Sequence, residues 1–174
     1  MAPSVVAATS LAWSGPSLEG EGAMSVTEPD LYENSTQKTR LWVGDLAREL
    51  GRPDDHVAAF RVLRGFLHVL RDRLPVEEAV HLAAQLPELL RGVYFEGWRP
   101  SATPQPYHDL NTFLDRIATA GLLAGETEAA YSAEAAVRVL ARHVGVHEVG
   151  KIRLVLPRDI ADFLTPAVEP HPAS

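Results

Sequence analysis

Cysteine is absent from the 174 residues of this chain, which excludes disulfides, thiolate nucleophiles and thiolate-bound metals. No stretch approaches the roughly 20 apolar residues that a helix needs to span a bilayer. No glycine-rich phosphate loop, nucleophile elbow or paired metal-binding helix motif occurs either. We therefore expect a protein without catalytic residues, cofactor or metal, although missing motifs do not exclude a new kind of enzyme.

Basic residues are also scarce, and the net charge is −7 at pH 7. An acidic balance argues against a nucleic-acid partner, because affinity for nucleic acid comes largely from neutralising phosphates. No lysine or arginine precedes Lys38, so the positive region of a secretory signal is missing. We expect a cytoplasmic protein that binds neither nucleic acid nor membrane, and its oligomeric state stays open.

An internal repeat is the main positive feature of the sequence. The pattern from Asp54 to Pro87 recurs 70 residues downstream without a gap. Identity between the copies is low, but apolar positions keep their register, which predicts a duplicated helical unit. Identical residues fall together at Gly51/Gly121, Ala59/Ala129, Leu70/Leu140, Leu86/Leu156 and Pro87/Pro157.

Four helices are predicted in the first unit. Ser35 or Thr36 can cap the first helix, and Gly51 can end it in the left-handed conformation. Pro75 and Pro87 lack an amide hydrogen and each open a further helix, although Pro87 could instead kink the chain. The second helix, which precedes Pro75, carries an apolar stripe at helical spacing. This stripe comprises Phe60, Leu63, Phe66, Leu67, Leu70 and Leu74.

The second unit follows the same plan. We predict a helix that ends near Gly121, a long helix over 126–143, and short helices afterwards, the last following Pro157. Alanine stands at several positions where the first unit has large side chains, for example Ala136 against Phe66. Smaller side chains let helices approach more closely, which predicts different helix spacing in the two units.

The predicted fold class is all-α, with two repeated units of about four helices packed as one compact helical bundle. We predict a disordered head at 1–35, helical unit 1 at 36–98 and a proline-rich linker at 99–108. Helical unit 2 follows at 109–164, and 165–174 forms a short loose tail.

Two strings, LRDRLPVEEAVHLAAQLPELLRGVYFEGW at 70–98 and its echo VLPRDIADFL at 155–164, carry a family resemblance. The chain resembles the bacterial family catalogued as domain of unknown function 2267, over roughly residues 38–164. The resemblance implies an all-α cytoplasmic protein of two repeated units and no established activity. The second copy lacks an equivalent of the YFEGW segment at 94–98, so a function of that segment would not be duplicated.

An aromatic cluster with an adjacent arginine lies where the first unit meets the linker, at Tyr94, Phe95, Trp98 and Arg99. Tyr, Trp and Arg dominate the energetic hot spots of interfaces, so this cluster is a candidate surface for a partner or ligand. The alternative is that Phe95 and Trp98 pack at the seam between the units, as aromatics beside linkers commonly do.

A polar stripe on the second helix, formed by Arg61, Arg64, His68 and Arg71, is the second candidate. It could hold an anionic group or the acidic surface of a partner. The alternative is an ordinary solvated face whose charges pair with nearby acids such as Asp72.

Two histidine features carry less weight. His143 and His147 have the spacing at which one helix could aim both rings at a metal, but Gly145 between them favours a turn. His81 follows Glu77 at a spacing that suits a surface pair. We assign neither a metal site nor a catalytic dyad to them.

The leading interpretation is an uncharacterised, non-enzymatic protein–protein interaction or regulatory module with an unknown protein partner and a groove between its units. The alternative is a small-molecule-binding protein or enzyme with a pocket between the units. That pocket would be lined by Trp98, Tyr94 and Arg99.

Overall fold

The computed structural model describes residues 28–165, with side chains from residue 33 onward. Within that range the chain forms eight α-helices and no strand, so the all-α prediction is confirmed. The predicted head up to residue 27 and the tail from 166 lie outside the described residues. The helices are α1 (Glu28–Glu49), α2 (His56–Arg73), α3 (Val76–Gln85), α4 (Glu88–Phe95), α5 (Leu110–Gly121), α6 (Glu126–Val144), α7 (Val146–Val155) and α8 (Arg158–Phe163), with a 3₁₀ turn at Pro100–Ala102.

The start of α1 differs from the prediction. The helix begins at Glu28, so the cap predicted at Ser35 or Thr36 was wrong, and the predicted head boundary falls inside α1. Pro29 stands in the first turn, where its missing amide hydrogen costs no helical bond. The Thr39 hydroxyl donates to the Ser35 carbonyl at 3.0 Å, which shows how a hydroxyl residue is accommodated inside a helix.

Proline sets several helix starts as predicted, and aspartate sets one more. Pro75, Pro87 and Pro157 each stand immediately before a helix, so the fourth helix after Pro87 is confirmed. The Asp55 carboxylate accepts a hydrogen bond from the Ala58 amide at 2.9 Å and caps α2. These signals act within a few residues of the chain, so the sequence alone reveals them.

Helix α2 lies at the centre of the bundle, where it packs against α1, α4, α5 and α6. Because neighbours surround it, α2 buries residues on more than one side. Of the predicted apolar stripe, Phe60 alone is only partly buried. The buried apolar residues of α2 are Ala58, Ala59, Val62, Leu63, Phe66, Leu67, Val69 and Leu70.

The closest approach of α2 and α5 occurs at two glycines. A Cβ atom on Gly65 would lie 2.9 Å from the Gly121 backbone nitrogen and 3.0 Å from the Ala120 carbonyl carbon. Gly121 is the last residue of α5, and it also belongs to this close contact between the two helices. The left-handed residue that ends α5 is Leu122, with a φ of 55°, whereas Gly51 itself ends the turn after α1 with a φ of 69°.

The two halves contain corresponding helices at a nearly constant offset. α3 and α7 begin at Val76 and Val146, and α4 and α8 begin at Glu88 and Arg158. One continuous hydrophobic core includes residues of both halves. The duplication itself, and the boundaries of the predicted units and linker, stay predictions.

Candidate functional site

Tyr94 of the predicted aromatic cluster is a core residue. Its side chain is fully buried, and its hydroxyl donates to the Ala79 carbonyl in α3 at 3.0 Å. Burial raises the pKa of the Tyr94 phenol well above its ordinary value, so it stays a neutral donor. Tyr94 joins α4 to α3 and presents no surface to a partner.

The other residues of the cluster connect the end of α4 to the linker that follows it. Phe95 and Trp98 stack with ring centroids 5.2 Å apart, and both are partly buried against the core. The Trp98 indole donates to the Thr103 hydroxyl at 3.1 Å, and that hydroxyl donates to the Arg99 carbonyl at 3.1 Å. Arg99 itself is exposed. The packing interpretation of Phe95 and Trp98 fits these contacts better than a free binding patch.

Arg71 of the predicted polar stripe is buried, with 3% of its surface exposed. Its guanidinium donates to the backbone carbonyls of Tyr94 and Glu96, the latter at 3.1 Å, at the end of α4. The same side chain donates to the Asp72 carboxylate at 2.8 Å. Arg71 therefore satisfies carbonyl groups that a helix end leaves unpaired.

His68, which lies one turn before Arg71 in α2, also donates to a carbonyl near the end of α4. Its Nε2 lies 2.6 Å from the Val93 carbonyl oxygen, so Nε2 carries the hydrogen. Burial lowers the pKa of His68, as do the charges of Arg71 and Arg64, although the Val93 carbonyl and Glu96 oppose them. A solvated face was therefore the wrong interpretation for His68 and Arg71, because α4 packs over this side of α2.

Between α2 and α5 lies an open groove of about 650 Å³, hereafter the α2–α5 groove. Arg64 stands at its rim and donates through Nε and Nη2 to one Glu96 oxygen, at 2.9 and 2.7 Å. Arg61, the remaining stripe residue, lines a separate concavity. The α2–α5 groove is lined by Arg64, His68, Val69, Arg71, Asp72, Glu96, Gly97, Thr112, Asp115, Arg116, Thr119 and Ala120.

The α5 side of this groove carries charged residues, and contacts with neighbouring side chains hold one of them, Arg116, in place. The Arg116 guanidinium lies over the Tyr107 ring, 4.7 Å from its centroid, and donates to the Gln105 side chain. Burial raises the pKa of Tyr107 to about 12, although the charges of Arg116 and Arg73 oppose it. Asp115 is exposed and forms no ion pair within residues 28–165.

The histidines considered for a metal are separated by the structure. His143 ends α6, where its Nε2 lies 2.7 Å from Asp45 and its ring stacks on Trp42 at 4.6 Å. His147 belongs to α7, beyond the break at Gly145. In the described part of the chain, no three acidic or histidine side chains are grouped as a metal site would require.

The predicted pairing of His81 with Glu77 was wrong in detail. His81 Nδ1 instead lies 3.9 Å from the carboxylate of Glu78, one residue further along α3. Both side chains belong to one exposed helix surface, so this contact carries little energy. It provides neither a buried base nor a nucleophile, and we assign it no function.

An ionic network between α1 and α6 was missed by the sequence analysis. Glu49 accepts hydrogen bonds from Arg138 at 2.9 Å and from Arg142 at 2.6 Å. Burial opposes ionisation of Glu49, but the hydrogen bonds and charges of Arg142 and Arg138 outweigh it and lower the pKa. No local pattern could have revealed these pairs, because their members are about 90 residues apart in sequence.

Comparison with known proteins gives a family and no activity. Among the helices described, none has the length and apolarity that crossing a membrane requires. No curated protein matches the chain. A family model described as uncharacterized conserved protein, DUF2267, matches residues 39–163, which include α2 to α8 and the second half of α1. The chain therefore belongs to the DUF2267 family.

Proposed function

We propose that this DUF2267 protein is a non-enzymatic interaction module that binds a segment of a partner protein in the α2–α5 groove. The observation that carries the proposal is the groove itself, which is open, about 650 Å³ in volume and formed by helices from both halves. Val69 and Ala120 contribute apolar surface, while Arg64, Asp115 and Arg116 provide charges of both signs. Interfaces combine an apolar centre with a polar rim in this way.

Several polar groups of the groove are already engaged, which argues against a reaction there. His68 donates to Val93, and Arg71 donates to carbonyls of α4. The Thr119 hydroxyl donates to the Asp115 carbonyl at 2.9 Å, within its own helix. A catalytic centre needs a nucleophile and a base within reach of each other and of a substrate, and these contacts supply none.

Affinity capture from the lysate of the native host tests the proposal, with bound proteins identified by mass spectrometry. We expect a partner that wild type retains and that both Arg64→Glu and Thr119→Arg lose, because these changes alter opposite walls of the groove. Arg158→Glu is the matched control, since Arg158 is an exposed arginine on α8 outside the groove. A partner held equally by wild type and both groove variants would contradict the proposed site.

A small molecule is the second candidate occupant of the same groove. The His68 ring favours it, because its second nitrogen, Nδ1, adds a hydrogen-bonding group to the groove lining that the contact with Val93 does not use. Native mass spectrometry of the protein purified from its host separates the two candidates. A bound compound lost in Thr119→Arg, with no co-purifying protein, would replace the interaction proposal by a ligand-binding one.

A further inference from the structure

We propose that two copies of this chain associate through the end of the bundle where the α1–α2 and α5–α6 turns meet. The contact is a two-fold exchange, in which Leu122 of each copy enters a concavity on its partner. This surface is separate from the α2–α5 groove, and the inference does not depend on the proposed partner protein.

Two features of Leu122 are energetically unfavourable for the folded chain, namely its backbone conformation and the exposure of its side chain. Its backbone is left-handed, with φ 55° and ψ 50°, a conformation in which leucine is disfavoured and glycine is not. Its side chain is also 73% exposed, so the fold gains little burial in return. Strained, exposed residues of this kind tend to occur at functional surfaces.

Beside Leu122 lies a concavity of about 180 Å³. Its apolar lining includes Leu50, Val62 and Leu123, and Leu122 and Tyr131 line it as well. The polar residues of the lining are Arg52, Arg61, Glu128 and Ser132. By volume alone, about 150 Å³ is enough for a benzene-sized group. The concavity is therefore large enough for one aliphatic side chain such as leucine.

A projecting side chain next to a cavity of matching size makes this surface complementary to itself. Such a surface satisfies the condition for an isologous dimer, in which residue i of one copy contacts residue j of the other and the reverse. Val57, in the first turn of α2 beside the lining residue Ala58, is 72% exposed and extends the apolar area. A second copy of the chain presents both the projecting side chain and the concavity.

Charges around this surface fit the same occupant. Arg61 lines the concavity and forms no ion pair among the residues that the structure describes. Acidic side chains stand at the starts of the two helices that border the concavity, namely Asp54 before α2 and Glu126 at the start of α6. Two copies facing each other therefore offer each arginine an acidic surface.

Sedimentation velocity of the full chain, from micromolar concentrations up to about 1 mM, tests the proposal. We expect a concentration-dependent dimer, and Leu122→Gly should weaken its Kd at least about tenfold by removing two buried leucines per dimer. Leu154→Asp is the matched control, because Leu154 is 85% exposed on α7 and lies outside the concavity. The control should leave the Kd unchanged.

A stability readout separates lost association from misfolding. At a concentration where wild type is monomeric, the Tm of Leu122→Gly should stay the same or rise by a few degrees, because glycine relieves the left-handed strain. A chain that stays monomeric up to about 1 mM would overturn the proposal. A dimer that Leu122→Gly leaves intact, or that Leu154→Asp weakens equally, would overturn it as well.

Discussion

Helices α2 and α6 begin at positions that differ by the predicted offset of 70 residues, but the residues at corresponding positions make different contacts. His68 and Arg71 of α2 donate to the carbonyls at the end of α4. At the corresponding positions of α6, Arg138 pairs with Glu49 of α1, and Ala141 is simply buried. Matching start positions of α2 and α6 therefore do not fix the contacts of a helix, because the neighbours of each helix decide what its polar face does.

The apolar faces of the two helices differ as well. Leu63 and Phe66 of α2 correspond to Ala133 and Ala136 of α6, and all four are fully buried. At these positions the first half thus fills the core with large side chains, whereas the second half fills it with methyl groups. Three pairs of substitutions compare the two halves, and a fourth change, at His68, concerns pH dependence alone.

The largest effect is expected for Phe66→Ala. Removing a fully buried aromatic ring leaves a cavity and should lower the free energy of unfolding by about 3–5 kcal/mol. Its counterpart Ala136→Gly removes one methyl group and should cost about 1 kcal/mol, mainly through backbone entropy. Urea unfolding followed by circular dichroism measures both, and similar losses would contradict the proposed difference in core packing.

Arg71→Met should lower the free energy of unfolding by about 2–4 kcal/mol, because carbonyls at the end of α4 and the Asp72 carboxylate lose a buried partner. An arginine of the second half with a similar contact, though not at the corresponding position, is Arg153, which donates to the Ala161 carbonyl of α8 at 2.9 Å and is only partly buried. Arg153→Met should cost about 1 kcal/mol. Equal losses in chemical denaturation would show that burial of Arg71 adds nothing.

Tyr94→Phe should cost about 1 kcal/mol, since it removes the buried hydrogen bond to Ala79 and keeps the ring. Tyr131 is the matched tyrosine on α6, because its hydroxyl donates to the Glu49 carbonyl at 2.9 Å from a side chain that is 48% exposed. Tyr131→Phe should change the unfolding midpoint less, since water can replace the lost bond. A larger effect at Tyr131 would reverse this ranking.

The smallest effect is a pH dependence centred on His68. Its lowered pKa means that the folded state binds fewer protons than the unfolded state, so stability is full above about pH 6.5 and declines as the pH falls towards the native pKa. His68→Gln keeps a donor for Val93 but cannot titrate, so the slope of Tm between about pH 5 and 7 should become shallower. The difference between the two profiles isolates His68 from the other histidines, and identical slopes would contradict the lowered pKa.

The sequence by itself determined the helices of this protein. Pro75, Pro87 and Pro157 start helices because each lacks an amide hydrogen, and Asp55 caps α2 through a bond to a residue three positions away. The start of α1 was missed, because Ser35 and Thr36 suit a helix interior as well as a cap.

Only the tertiary structure decided which polar residues are buried and which surfaces remain open. The polar stripe of α2 looked like a solvated face, yet Arg71 is buried against the end of α4, and His68 and Arg64 line the α2–α5 groove. The contact between Asp45 and His143 joins residues 98 positions apart, and no periodic pattern contains it. Helix signals depend on backbone chemistry within a few residues, whereas burial and pairing depend on which distant helices pack together.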